Sequence, residues 1–316
     1  MAPVELKPRQ SVLDPRHTER RNPRSAAIDL ASPLEIVDLM NAEDRTVADA
    51  VATQREQIAK VIEMVEHSFR NNGRLIYLGA GSSGRLGVLD AAECPPTFGS
   101  EPTMVEGIIA GGLKALTRAA EGAEDLAEGA RADLEDVELT PQDVVLGIAA
   151  SGTTTYVCAG LEHAKQLGAR TAILACSPPS ERLRESADVA IVAITGPEVL
   201  TGSTRLKAGT ATKMVLNMIT TGAMVRMGKA YGNLMVDLKP TNAKLRDRSE
   251  RLLIEVCGVS RDDAKELLKQ SNGSVKVAIV MQKLGIKRKE AESRLESHQG
   301  RIRRVIPGDP PPVREE

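Results

Sequence analysis

Short apolar runs alternate along this chain with longer stretches in which apolar residues return every three or four positions. Leu75 to Leu78, Met104 to Ala110, Val144 to Ala149, Thr171 to Ala175 and Val189 to Ile194 are the short runs. They are continuous rather than alternating, as strands buried on both faces should be. Helical spacing fills the intervals. Pro33 to Met40 and Thr46 to Asn71 read as helices, the second with Val47, Val51, Ile58, Val61, Ile62 and Val65 on one face and Asn71-Asn72-Gly73 as its stop. A helix starts near Ser82-Ser83-Gly84 and is expected to end before Pro95-Pro96, because a residue preceding proline disfavours helical backbone. Lys114 to Leu134, Thr155 to Leu167 and Lys207 to Met227 follow as helices, with more helical material between the last two strands. This alternation predicts a parallel sheet with helices on both faces. From Ala243 onward the pattern is helical only, as Lys244 to Val256, Ser260 to Gln270, Val275 to Leu284 and Lys289 to Val305. That predicts a small helical unit beside an α/β domain.

Two loops carry candidate chemistry. The first strand runs into Gly79-Ala80-Gly81-Ser82-Ser83-Gly84, and the third into Ser151-Gly152-Thr153-Thr154. Small residues let the backbone approach a ligand, and the free N–H groups and dipole of the following helix favour an anion. A lone glycine loop also serves any tight strand-to-helix turn. Two hydroxyl-lined loops at one sheet edge point more specifically to a phosphate, since ligands of such sheets bind beyond the strands' carboxyl ends. The spacing is neither G-x-G-x-x-G nor a P-loop.

Composition removes several classes. Among 316 residues the formal net charge is −1, so nothing calls for nucleic acid. Aromatic content is 2% with no Trp, which removes a base-stacking platform. No apolar run reaches membrane-spanning length, and the arginine-bearing N-terminus lacks the apolar core of a signal peptide. Cys94, Cys158, Cys176 and Cys257 are scattered without metal-ligand spacing, so neither disulfides, a metal nor another cofactor is expected. A cytoplasmic protein with no nucleic-acid or membrane partner is the reading. His163 and His298 have no partner in the pattern.

The run from Gly79 to Gly99, GAGSSGRLGVLDAAECPPTFG, resembles the signature of the N-acetylmuramic acid 6-phosphate etherases, a branch of the sugar isomerase (SIS) superfamily. The likeness continues through Thr18-Glu-Arg-Arg-Asn22, Ile28-Asp29, Met40-Asn-Ala-Glu-Asp44, Ile109-Ala-Gly-Gly112, Glu121-Gly-Ala-Glu-Asp125, Thr201-Gly-Ser-Thr-Arg-Leu-Lys-Ala-Gly-Thr210 and Gly232-Asn-Leu-Met-Val-Asp237, and spans roughly residues 17 to 306. It implies a three-layer α/β sandwich around a five-stranded parallel sheet, plus the C-terminal helical unit. The expected division is an arm and first helix (1–45), a SIS phosphosugar-binding domain (46–240), the helical unit (241–306) and a disordered tail (307–316).

The resemblance also implies an activity. A phosphosugar is the substrate, its D-lactyl ether is removed, and N-acetylglucosamine 6-phosphate and D-lactate are released in cell-wall sugar recycling. Glu93 matches the family's proton donor, and its place in the last turn of a helix, near the negative dipole end, suits a raised pKa. Glu124 matches the second active-site glutamate, usually the base. By local pattern alone both read as solvated helix residues. Ser151 and Thr154 match the phosphate-gripping loop, with Gly81, Ser82, Ser83, Gly152 and Thr153 lining the same place. Where the family has Ser-Gly-Arg-Thr-Pro-Tyr, this chain has Ser151-Gly-Thr-Thr-Thr-Tyr156, without the arginine and the proline. Arg205 or Lys207 is a candidate for the lactyl carboxylate, and Glu198 a reserve acid or base. Glu93 stands ten residues from Ser83, about 15 Å along a helix. Either the phosphate binds the other loop, or an active site shared across a homodimer closes that gap. Two rival readings are a non-catalytic sugar-phosphate sensor, like the longer, two-domain glucokinase regulatory protein, and an aldose–ketose isomerase.

Overall fold

A computed structural model describes residues 14–238 and 243–306 together with Gly308 and Pro310. The expected arm therefore enters the description at Asp14, and most of the expected C-terminal tail lies outside the described residues.

Five parallel strands form the sheet: β1 (Leu75–Gly79), β2 (Val105–Ile109), β3 (Val144–Ile148), β4 (Arg170–Ala175) and β5 (Val189–Val192), in the order β2-β1-β3-β4-β5. Strand order reverses between β1 and β3, which pair in register from Leu75–Val144 to Gly79–Ile148. The strands are apolar throughout because both faces are covered. Leu75, Tyr77, Leu146, Ile148, Leu174 and Ile191 pack in one core under α1 (Pro33–Ala52), α2 (Arg55–Arg70), α3 (Gly81–Phe98) and α7 (Lys207–Arg226). Ile76, Leu78, Val145 and Ile173 point the other way, against α4 (Ala127–Asp136), α5 (Thr155–Gln166) and the short α6 (Glu181–Glu185). The expected three-layer sandwich results.

A separate core begins at the small hairpin of β6 (Ala230–Tyr231) and β7 (Leu234–Met235). Tyr231, Val236 and Leu238 pack there with α8 (Ala243–Cys257), α9 (Arg261–Gln270), α10 (Val275–Leu284), α11 (Arg288–Ser297) and α12 (Ile302–Val305). Among the described residues no helix is long and apolar enough to cross a membrane.

Four elements depart from the sequence reading. Helix α1 runs unbroken through Asn41 to Arg45, where the chain has no breaker, and pauses only at Thr53-Gln54. Its start is a capping box, with Ser32 N–H donating to Glu35 at 2.7 Å and Glu35 N–H to Ser32 at 3.4 Å. Helix α3 does not stop before its prolines but contains Pro95 and Pro96. They fall in the last turn, where only two ladder donors are lost, and Gly99 closes that turn by donating its N–H to the Pro95 carbonyl at 2.9 Å. The stretch from Lys114 to Leu134 is not one helix. Short 3₁₀ turns at Leu113–Leu116 and Ala123–Asp125 precede α4, with Gly122 in the left-handed region between them. The last helix is split into α11 and α12 by Gly300.

Candidate functional site

Beyond the carboxyl ends of β1 and β3, at the reversal of strand order, lies a cavity of about 420 Å³. Helix α3 leaves β1 so abruptly that a Cβ on Gly84 would stand 2.7 Å from the Gly79 carbonyl oxygen. Glycine at 84 thus lets the helix N-terminus press against the strand and brings Gly81, Ser82 and Ser83 to the cavity wall. Across the reversal, Gly152 N–H turns back to the Ala149 carbonyl at 2.8 Å, and Ser151, Thr153 and Thr154 line the opposite wall. The Ser151 and Thr153 hydroxyls lie 3.1 Å apart. Neither Ala80 before α3 nor Thr154 before α5 caps its helix with a side chain. The first turns of two helices and five hydroxyl-bearing residues therefore border one hollow, a chemistry suited to an anion. Thr153, in place of the family's arginine, contributes a hydroxyl and no charge.

Glu124 stands on the rim. It sits in the 3₁₀ turn set by Gly122, exposed, and lines both this cavity and an adjoining hollow of about 210 Å³ that holds Arg85 and Glu121. The Arg85 guanidinium is taken by the backbone carbonyls of Leu116 and Arg118 at 3.1 and 3.4 Å. Asp125 lines the main cavity beside Glu124.

Glu93 lies elsewhere. It is exposed three turns along α3 from Ser83 and does not line the cavity. Arg205 is exposed and also outside the lining. Lys207 is buried, its ammonium 2.5 Å from the Glu43 carboxylate. Burial pushes the Glu43 carboxyl up, but Lys207 and Arg24 outweigh it and hold it below the usual range. Glu198 is fully buried and accepts the N–H groups of Lys207 and Ala208 at 3.0 and 2.9 Å, so it caps α7. Burial leaves its pKa raised despite those bonds.

The N-terminal arm supplies residues that pattern reading did not assign. Thr18 is wholly buried at the sheet edge. Its N–H donates to the Ser177 hydroxyl at 3.2 Å, and its carbonyl accepts the Gly202 N–H at 3.2 Å. Asn22 donates to the Pro197 carbonyl at 3.3 Å. The loops after β4 and β5 thus hold the arm across the cavity, where Arg16 and Glu19 join Gly202 and Thr204 in the lining. The signal for this was the upstream motif at Thr18 to Asn22, whose polar residues carry no periodicity. Among the described residues no group of three or more His, Cys, Asp or Glu side chains is placed to hold a metal ion.

Residues 57–165 match the glucokinase regulatory protein N-terminal SIS domain, and residues 126–222 match the SIS domain. An N-acetylmuramic acid 6-phosphate etherase of Rhodopirellula baltica is 54% identical over 289 residues, covering 92% of this chain and 95% of that protein. One from Oceanobacillus iheyensis is 52% identical over 294 residues, covering 93% of this chain and all of that protein, 100%. A solved phosphoheptose isomerase of Neisseria gonorrhoeae shares 16% identity at a TM-score of 0.46, over 61% of this chain and 98% of that one.

Proposed function

The chain belongs to the N-acetylmuramic acid 6-phosphate etherase family, and from that membership we propose that it removes the D-lactyl ether from N-acetylmuramic acid 6-phosphate. The observation that carries the reading is near full-length identity of 54% to an etherase, together with an uncapped, hydroxyl-lined cavity at the switch point. The products are N-acetylglucosamine 6-phosphate and D-lactate, a step in peptidoglycan recycling. Four free cysteines and a phosphorylated substrate support a cytoplasmic setting.

The chemistry follows from the substrate. The ether oxygen sits on C3, β to the aldehyde of the open-chain sugar. The aldehyde acidifies C2–H. A base takes that proton, its electron pair forms the C2–C3 double bond, and the C3–O bond breaks. An acid protonates the departing lactyl oxygen. Water then adds across the double bond, giving hydroxyl at C3 and hydrogen at C2. One basic and one acidic carboxyl are needed.

In this reading Ser82, Ser83, Ser151, Thr153, Thr154 and the N-termini of α3 and α5 hold the phosphate. Glu124 on the cavity rim is the base. Glu93, remote from its own cavity, is the acid of a second copy in a homodimer. Exposed Leu89, one turn before Glu93 on α3, supports a partner covering Glu93, and exposed Leu30, Leu34 and Val37 offer further apolar surface for a second copy. A second reading rests on Glu19, which shares the cavity with Glu124 and would complete the pair within one chain. Lactate release from the 6-phosphate sugar tests the activity itself. A regulator or an isomerase would release none.

A further inference from the structure

The substrate carries two anions, and the cavity treats them differently. The phosphate has hydroxyls and two helix N-termini. The lactyl carboxylate must enter a wall that also bears Glu19, Glu124 and Asp125. An anion brought beside three carboxylates needs a cation. Lys207 is committed to Glu43, Arg205 lies outside the lining, and Arg85 is held by backbone carbonyls in the next hollow. Of the described residues lining the main cavity, Arg16 alone is cationic.

Its geometry suits a planar carboxylate. Asp14 takes one edge of the guanidinium, accepting from Nε at 3.0 Å and from Nη2 at 2.7 Å. Among the described residues Nη1 donates no hydrogen bond, so the Nη1–Nη2 edge is open for a two-point contact. The fork is pinned rather than loose, since Asp14 also accepts the Arg16 backbone N–H at 2.8 Å. The arm is seated just beyond by buried Thr18. A Cβ on Gly202, whose φ is +76°, would stand 3.2 Å from the Glu19 carboxylate, so the facing loop fits closely around the arm.

We infer that Arg16 grips the carboxylate borne on the substrate's ether, which makes the N-terminal arm the element that distinguishes the lactyl sugar from the bare sugar phosphate. This rests on the etherase reading above. It assigns the carboxylate to a residue far in sequence from both loop candidates.

The test separates the two anions. Calorimetry with full-length protein in a Glu124→Gln background measures binding of N-acetylmuramic acid 6-phosphate and of N-acetylglucosamine 6-phosphate. Adding Arg16→Gln should weaken the lactyl sugar about tenfold or more and leave the bare sugar phosphate within about twofold. Arg16→Lys should fall between. In the otherwise wild-type enzyme Arg16→Gln should raise KM by a similar factor and change kcat much less, with an unaltered unfolding temperature. Equal weakening of both ligands would assign Arg16 to the phosphate, and no weakening would remove it from the site. Either result overturns the inference. Absence of lactate from wild-type protein would instead refute the reaction, while the two binding measurements would still decide the role of Arg16.

Discussion

Of two hollows at opposite ends of the strands, the larger, about 650 Å³, lies where the strands begin and the smaller, about 420 Å³, where they end. Lys60, His67, Gln142 and Arg170 line the first, next to the opening residues of β3, β4 and β5. Helices arrive there by their C-termini, whose dipoles draw cations, so His67 and Arg70 in the last turn of α2 have a structural account. Arg170 pairs with Asp188 at 3.2 Å. The cross-link Arg74–Asp143, at 2.8 Å with Asp143 almost wholly buried, ties the starts of β1 and β3. At the other end helices leave by their N-termini, and two of them do so uncapped. The strand-start end has its charges paired, as Arg74–Asp143 and Arg170–Asp188, and the strand-finish end is left with donors to spare. Volume alone would choose the wrong end. Unsatisfied polarity chooses the one where an anion belongs.

The contrast breaks most sharply on the carboxyl groups. Glu124→Gln should lower lactate release at least about a hundredfold with folding intact, as removal of a general base does. Glu93→Gln should do the same. Mixing Glu93→Gln with Ser151→Ala/Thr154→Ala protein should restore activity if one site draws on two chains. No recovery, with heterodimers shown to form, would return the acid to a single chain and make Glu19 the residue to substitute next.

The proposed phosphate wall should give the next largest effect. Ser151→Ala combined with Thr154→Ala should raise KM about tenfold to a hundredfold, from loss of two charge-assisted hydrogen bonds. Unchanged KM would place the phosphate elsewhere.

At the strand-start end the readout is stability. Burial pushes the Asp143 carboxyl up, but Arg74 and the N–H groups of Arg74 and Thr140 outweigh it and leave it below the usual carboxylate range. Its stabilisation is therefore complete above the unfolded pKa, about 3.9, and is lost as pH falls through the lower folded value. Asp143→Asn should cost about 3 kcal/mol by denaturant unfolding at neutral pH, the order expected when a buried pair loses one charge. It should also flatten the acid limb of the stability profile. A variant as stable as wild type would deny the tie its role.

The smallest effect is expected in the large hollow. Lys60→Gln and His67→Gln should leave kcat and KM within about twofold. A KM raised as much as by the Ser151 and Thr154 changes would bring that end into substrate binding.

Much of this was legible in the residues. Continuous apolar runs give all five strands within a residue or two, because burial on both faces leaves no other composition. The two hydroxyl loops are readable for the same local reason. What was not legible depends on partners distant in sequence. Nothing near Lys207 announces Glu43, and nothing near Glu198 announces a helix start nine residues on, so both looked available for chemistry. The arm is the clearest case. Arg16 and Glu19 reach the cavity because Thr18 fits between Ser177 and Gly202, a contact across more than 150 residues. The helix through Pro95-Pro96 shows the reverse, a strong local rule losing force in a terminal turn.

Everything proposed for this site depends on elimination across C2–C3 of a sugar held at this sheet edge. Turnover in heavy-oxygen water, read by mass spectrometry of both products, tests it most directly. Elimination puts the label at C3 of N-acetylglucosamine 6-phosphate and none in D-lactate, because C3–O is the bond that breaks and water restores the hydroxyl. Heavy oxygen in lactate would mean attack at the lactyl carbon and would contradict the mechanism.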